Sequence, residues 1–138
     1  MRIMAIDYGD AHTGIAISDP TGFLAGFTTT IDAYRPEVVA DRIAGLVQEH
    51  GVEELVLGHP INMDGTRGPR SEKAHAMKAL LEERTSLPVV LWDERRTTID
   101  AHQILFNSGK NAKKRKKVVD AVAASLILEG YLTYKKSH

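Results

Sequence analysis

The chain opens with two short apolar runs, Ile3 to Ile6 and Ile15 to Ile17, on either side of a polar turn that carries Asp7, Gly9, Asp10 and Gly14. This pattern predicts two strands joined by a tight connection. Ile3-Met4-Ala5-Ile6 shows no polar alternation, so the first strand is expected to be covered on both faces, as in the middle of a sheet flanked by helices. After the turn Asp19-Pro20-Thr21-Gly22, the Thr- and aromatic-rich segment Phe23 to Ile31 reads as the third strand of a meander. Pro36 suits a first helical position, and Val39, Ile43, Leu46 and Val47 recur at helical spacing until His50-Gly51 stops the pattern. Glu54 to Gly58 encloses Leu55-Val56-Leu57, a buried strand. The prolines and glycines between His59 and Arg70 exclude regular structure there. A second helix is expected from Ser71 to Arg84 with Ala74, Met77, Leu80 and Leu81 inward, then a last strand, Val89 to Trp92. Strands that alternate with helices imply an α/β sheet with parallel pairing through right-handed crossovers.

Thr97 or Thr98 could cap a short helix ending near Asn107. A charge run follows, Lys110 and then Lys113-Lys114-Arg115-Lys116-Lys117, expected to be a solvated, mobile loop. The C-terminal helix is expected from Val118 to about Tyr134, with Val119, Val122, Ala123, Leu126 and Gly130 on one face.

At 138 residues the chain has the size of one ordinary domain, and residues 1–138 are expected to form one. The 18 Lys plus Arg balance the 18 Asp plus Glu, so nucleic-acid affinity would need segregated charge. The absence of cysteine excludes disulfides, thiolate metal sites and a Cys nucleophile. No apolar run approaches the roughly 20 residues of a membrane span, so a cytoplasmic protein is expected.

Three carboxylates share a context. Asp7 and Glu94 each close an apolar strand at its carboxyl end, where ligands bind in open parallel sheets. Asp120 is the only charge within Val118-Val119-Asp120-Ala121-Val122-Ala123-Ala124, whose alanines allow close packing. Each has a structural alternative: turn capping for Asp7, an ion pair with Arg95 or Arg96 for Glu94, a helix-dipole partner for Asp120. Should they converge, an all-oxygen set would suit magnesium or manganese. Two such ions about 3.5 to 4 Å apart support phosphodiester hydrolysis.

These residues stand in a series of motifs: Ala5-Ile6-Asp7-Tyr8-Gly9, Gly14-Ile15-Ala16-Ile17-Ser18-Asp19, Gly58-His59-Pro60-Ile61-Asn62-Met63-Asp64-Gly65, Gly68-Pro69-Arg70, Trp92-Asp93-Glu94-Arg95 with Thr97-Thr98, and Asp120-Ala121-Val122-Ala123-Ala124. In this order they resemble the YqgF (RuvX) family, ribonuclease H-like proteins described as Holliday junction resolvases and pre-16S rRNA processing nucleases. The resemblance spans essentially the whole chain. It implies an RNase H-like five-stranded mixed sheet of order 3-2-1-4-5, with strands 1 to 3 an antiparallel meander and helices on both faces. It further implies catalytic and metal-binding roles for Asp7, Glu94 and Asp120, Mg2+ or Mn2+ as cofactor, and hydrolysis of structured RNA or branched DNA. A weak homodimer is a further expectation. The chain departs from the family at His12-Thr13, where Lys-Arg is usual, and at His59, where Leu is usual.

Arg70, Arg95, Arg96, Lys113, Lys114, Arg115, Lys116 and Lys117 are the candidate phosphate contacts, and Asn62, Asp64 and Arg67 the candidate substrate loop. At 6% aromatic content, base stacking is not expected as the main mode. Two other classes remain open: a nucleic-acid-binding module that does not cut, and an ATPase, because an Asp-x-Gly turn between strands also occurs in the sugar kinase, actin and Hsp70 superfamily. The length of the chain disfavours the latter, which needs two domains around a nucleotide.

Overall fold

A computed structural model describes residues 1–19, 25–59, 68–93 and 112–137. Strands β1 (Arg2–Asp7), β2 (His12–Ser18) and β3 (Ala25–Asp32) lead into helix α1 (Pro36–His50), followed by β4 (Val52–His59), α2 (Pro69–Thr85), β5 (Val89–Asp93) and α3 (Ala112–Ser137). The strands form one sheet of order β3-β2-β1-β4-β5. β1 pairs antiparallel with β2, and β2 with β3, while β1–β4 and β4–β5 are parallel. This is the expected mixed sheet, with the meander first and the crossovers after it.

The centre of the sheet is buried on both sides, as the unbroken apolar run of β1 requires. Met4 and Ile6 join Ile15, Ile17, Leu55 and Leu57 beneath α1 and α2, with Val39, Ile43, Met77 and Leu81 from the helices. Ile3 and Ala5 join Ala16 and Val56 on the opposite face, beneath Ala124, Ile127, Leu128, Tyr131 and Leu132 of α3. Ser18, where the β2–β3 register shifts, accepts the Ile3 N–H on its Oγ at 2.8 Å, which satisfies a buried donor.

Both helices between strands carry the expected end signals. α1 has proline in its first turn and ends on Gly51 in the left-handed region (φ 67°), whose N–H bonds the Val47 carbonyl. α2 begins at Gly68-Pro69, two residues before the expected Ser71, because proline at the first helical position needs no amide partner.

The C-terminal helix departs further from expectation. It starts at Ala112, so Lys113 to Lys117 lie in its first turns and not in a loop. Lys and Arg are good helix formers, and a run without glycine or proline gives the helix no reason to stop at Val118. The buried face also differs: Ala124, Ile127 and Leu128 are covered, whereas Val122 and Leu126 are only half-buried. The expected short helix between Thr97 and Asn107 lies outside the described residues.

Candidate active site

Asp7 ends the central strand. Alternation along β1 puts it on the same face as Ile3 and Ala5, the face that α3 crosses. Its register partner on β2 is Gly14. On β4, Gly58 comes one position after the Ile6–Leu57 pair. Two strand neighbours without side chains therefore flank the Asp7 carboxylate. It is half-buried and has no hydrogen-bond or ion-pair partner among the described residues. The turn-capping alternative finds no bond to support it there.

The turn after Asp7 is shaped by a close backbone approach. A Cβ on Gly9 would lie 2.3 Å from the carbonyl oxygen of His12, so only glycine fits. The same turn accepts the Ala33 N–H on the Ala11 carbonyl at 3.1 Å, which ties it to the end of β3. His12 Nδ1 lies 2.7 Å from Asp32 Oδ1 across the β2–β3 pair, and Thr13 is wholly buried. Of this neighbouring pair, one side chain is engaged with a carboxylate and the other is inside the core.

On the α2 side of the same sheet end, Tyr8, Gly9, Asp10, Gly58, Arg70, Lys73 and Ala74 line a small cleft. Lys73 Nζ donates to Asp10 Oδ1 at 2.8 Å, joining the turn to α2. That hydrogen bond raises the Lys73 ammonium above its ordinary value, and Arg70 acts in the opposite direction as a neighbouring cation. Burial, and then the charge of Asp10, raise the Tyr8 hydroxyl. Arg70, expected as a phosphate contact, is exposed in the first turn of α2. Lys73 and Tyr8 did not stand out in the sequence, since a lysine on the polar face of a helix and an aromatic after a strand are both commonplace.

His59 is buried, with Nε2 2.6 Å from Ser71 Oγ and its ring edge-on to His75 at 4.9 Å. It packs the start of α2 onto the end of β4. The buried imidazole is thus accommodated by a polar partner.

Asp120 occupies α3 at helical spacing from Ala124, Ile127 and Tyr131, all buried against the sheet. Glu94, Arg95, Arg96, Asn62, Asp64 and Arg67 lie outside the described residues, as do the side chains of Asp120 and of Lys113 to Lys117. Among the described residues, no three His, Asp or Glu side chains form a metal-holding group. The Asp7 carboxylate itself has the character a hard cation needs: an oxygen donor, half-buried, with no other partner among those residues.

Residues 1–134 match the family described as "RuvX: Holliday junction resolvase". The chain belongs to this family. It is 45% identical over 135 residues to a protein of Halothermothrix orenii named "Putative pre-16S rRNA nuclease", covering 98% of this chain and 96% of that one. A protein of Acetivibrio thermocellus with the same name is 46% identical over 138 residues, covering 98% and 97%. The fold is that of T. thermophilus RuvC in complex with a Holliday junction substrate, with TM-score 0.64 at 13% identity over 99% of this chain and 96% of that one. Fowlpox virus resolvase bound to Holliday junction DNA has TM-score 0.56 at 12% identity, covering 99% and 98%. The RuvX chain described here therefore carries its candidate site on a ribonuclease H-like scaffold. Among its described residues, no helix is long and apolar enough to cross a membrane.

Proposed function

We propose that this RuvX chain is a metal-dependent endonuclease that hydrolyses phosphodiester bonds in structured nucleic acid, with precursor 16S rRNA as its substrate. The observation that carries this reading is the Asp7 carboxylate, half-buried between Gly14 and Gly58 on the face crossed by α3, with no partner among the described residues. A charge kept in that position without a partner costs stability, which a cation would offset. Family membership supports hydrolysis of phosphodiester bonds, and the names of the relatives favour precursor rRNA over branched DNA.

Asp7, Glu94 and Asp120 are the residues that would hold Mg2+ or Mn2+. When bound, the ions supply the positive charge that activates a water and steadies the leaving oxygen. Asp7 presents its carboxylate from the rigid central strand. Asp120 comes from a helix whose buried alanines, Ala123 and Ala124, permit close approach to the sheet. Lys113 to Lys117 stand at the positive end of the helix dipole, with no acidic residue in that first turn. This repulsion is relieved by an anionic backbone, so substrate binding would steady the start of the helix that carries Asp120.

The test is cleavage of a panel comprising precursor 16S rRNA, a four-way DNA junction and plain single strands, with manganese or magnesium and with Asp7→Asn as control. Metal-dependent cleavage of the precursor, lost in Asp7→Asn, is expected. Preferential cutting of the four-way junction would establish the resolvase reading instead. Tight binding without cutting by the unaltered protein would establish a binding module.

A further inference from the structure

We propose that Lys73 is a contact for the nucleic-acid backbone, and that Asp10 occupies the Lys73 ammonium in the free protein until a substrate phosphate displaces it. This rests on the nuclease reading and adds to it a binding residue and an internal competitor. The two side chains meet at 2.8 Å although 63 positions apart in sequence, bridging the turn after Asp7 to the second turn of α2. Both are largely exposed, the Asp10 side chain at 81% and that of Lys73 at 55%. Such a pair contributes little to stability and exchanges partners readily.

The surroundings favour a larger anion over the carboxylate. Arg70 lines the same cleft and is near enough to Lys73 to disfavour its charge, so two cations face one carboxylate there. Gly9 and Gly58 line the cleft without side chains, which leaves the backbone open to close approach. The cleft lies at the strand end that carries Asp7, on the α2 side of the sheet, so a nucleic acid that reaches both spans the end of β1. A phosphate with three oxygens can accept from Lys73 and Arg70 together. Exchange also releases Asp10 from the substrate path.

A second ion pair on α2 serves as an internal control. Arg84 Nε lies 2.6 Å from Asp41 Oδ1 near the other end of the helix, away from the strand end that carries Asp7. It is also an ion pair at the surface, with the Arg84 side chain 25% and that of Asp41 67% exposed.

The experiment measures fluorescence anisotropy of a labelled precursor-rRNA stem and a labelled four-way junction, in EDTA to prevent cleavage, across a series of salt concentrations. Lys73→Ala is expected to weaken binding about threefold to tenfold and to reduce the salt slope by about one. Asp10→Asn is expected to tighten binding by a similar factor, and Arg84→Ala to leave it unchanged. The double variant decides the exchange, because a gain from Asp10→Asn that acts through Lys73 disappears when Lys73 is alanine. A gain that persists in the Lys73→Ala background, or a Lys73→Ala slope equal to that of the unaltered protein, overturns the inference and leaves the nuclease reading standing. Failure of the unaltered protein to bind either probe overturns both.

Discussion

The two faces of the sheet are built from the same strands and yet differ in kind. Beneath α1 and α2 the inward residues are large, Met4, Ile6, Ile15, Ile17, Leu55 and Leu57, each 1% exposed or less. Beneath α3 the alternate positions of β1 and β2 include Ala5 and Ala16, and Ala124 faces them from the helix. Bulk is supplied at one end by Trp92, whose ring meets Tyr131 and Tyr134 edge-on at 5.8 Å and lies against Gly130, where a Cβ would come within 3.3 Å. The first face is a stability core. The second lets one helix come close, and it is on this face that β1 ends in an acid between two glycines. A sheet can thus place its bulkiest packing on one side and a strand-end carboxylate on the other, because strand side chains alternate.

The largest effect expected from this contrast is on activity. Asp7→Asn should reduce cleavage to background while the melting temperature stays the same or rises, since a half-buried charge is removed. Thermal unfolding alongside the cleavage assay checks this, and a strongly destabilised Asp7→Asn protein would return Asp7 to a structural role. Next, Ile43→Ala under α1 should cost about 2–5 kcal/mol in denaturant unfolding, with cleavage per folded molecule unchanged. On the other face, Ala124→Leu should cost less, about 1–3 kcal/mol from overpacking, and yet lower cleavage per folded molecule because it lifts α3 from the sheet. Equal losses of specific activity in the two variants would break the division between the faces.

The smallest effect concerns the far end of α3. Tyr131 donates its hydroxyl to Glu54, whose other oxygen lies 3.0 Å from Lys135 Nζ. Burial first, and then the bond to Glu54, raise the Tyr131 hydroxyl above its ordinary value of 10.0. A group raised on folding releases its proton sooner from the unfolded chain. Its contribution is therefore complete below about pH 10 and declines as pH rises from there toward the folded value. Tyr131→Phe should flatten that decline in alkaline unfolding curves and leave cleavage near neutral pH unaltered.

Much of the scaffold was legible because its signals are local. The unbroken run Ile3 to Ile6 announces a strand buried on both faces, and Pro36 with Gly51 brackets a helix, since each depends only on neighbouring residues. Asp7 was legible as a site candidate for the same reason, a lone acid after an apolar strand. The register of α3 was not. Its apolar positions run from Val118 and Val119 through Ala123, Ile127 and Leu128 to Tyr131 and Leu132, wrapping more of the helix than one stripe. Periodicity alone cannot choose the edge of such a helix that meets the sheet. Small residues at Ala5, Ala16 and Ala124 and the Tyr131–Glu54 bond make that choice, and they come from elements far apart in sequence. The Lys73–Asp10 pair is of the same kind. What the sequence by itself determined was each segment's own conformation and the acid that ends the first strand. What only the tertiary structure decided was which distant side chains share a face or a cleft, because those contacts arise from packing between elements and leave no periodic trace in any one of them.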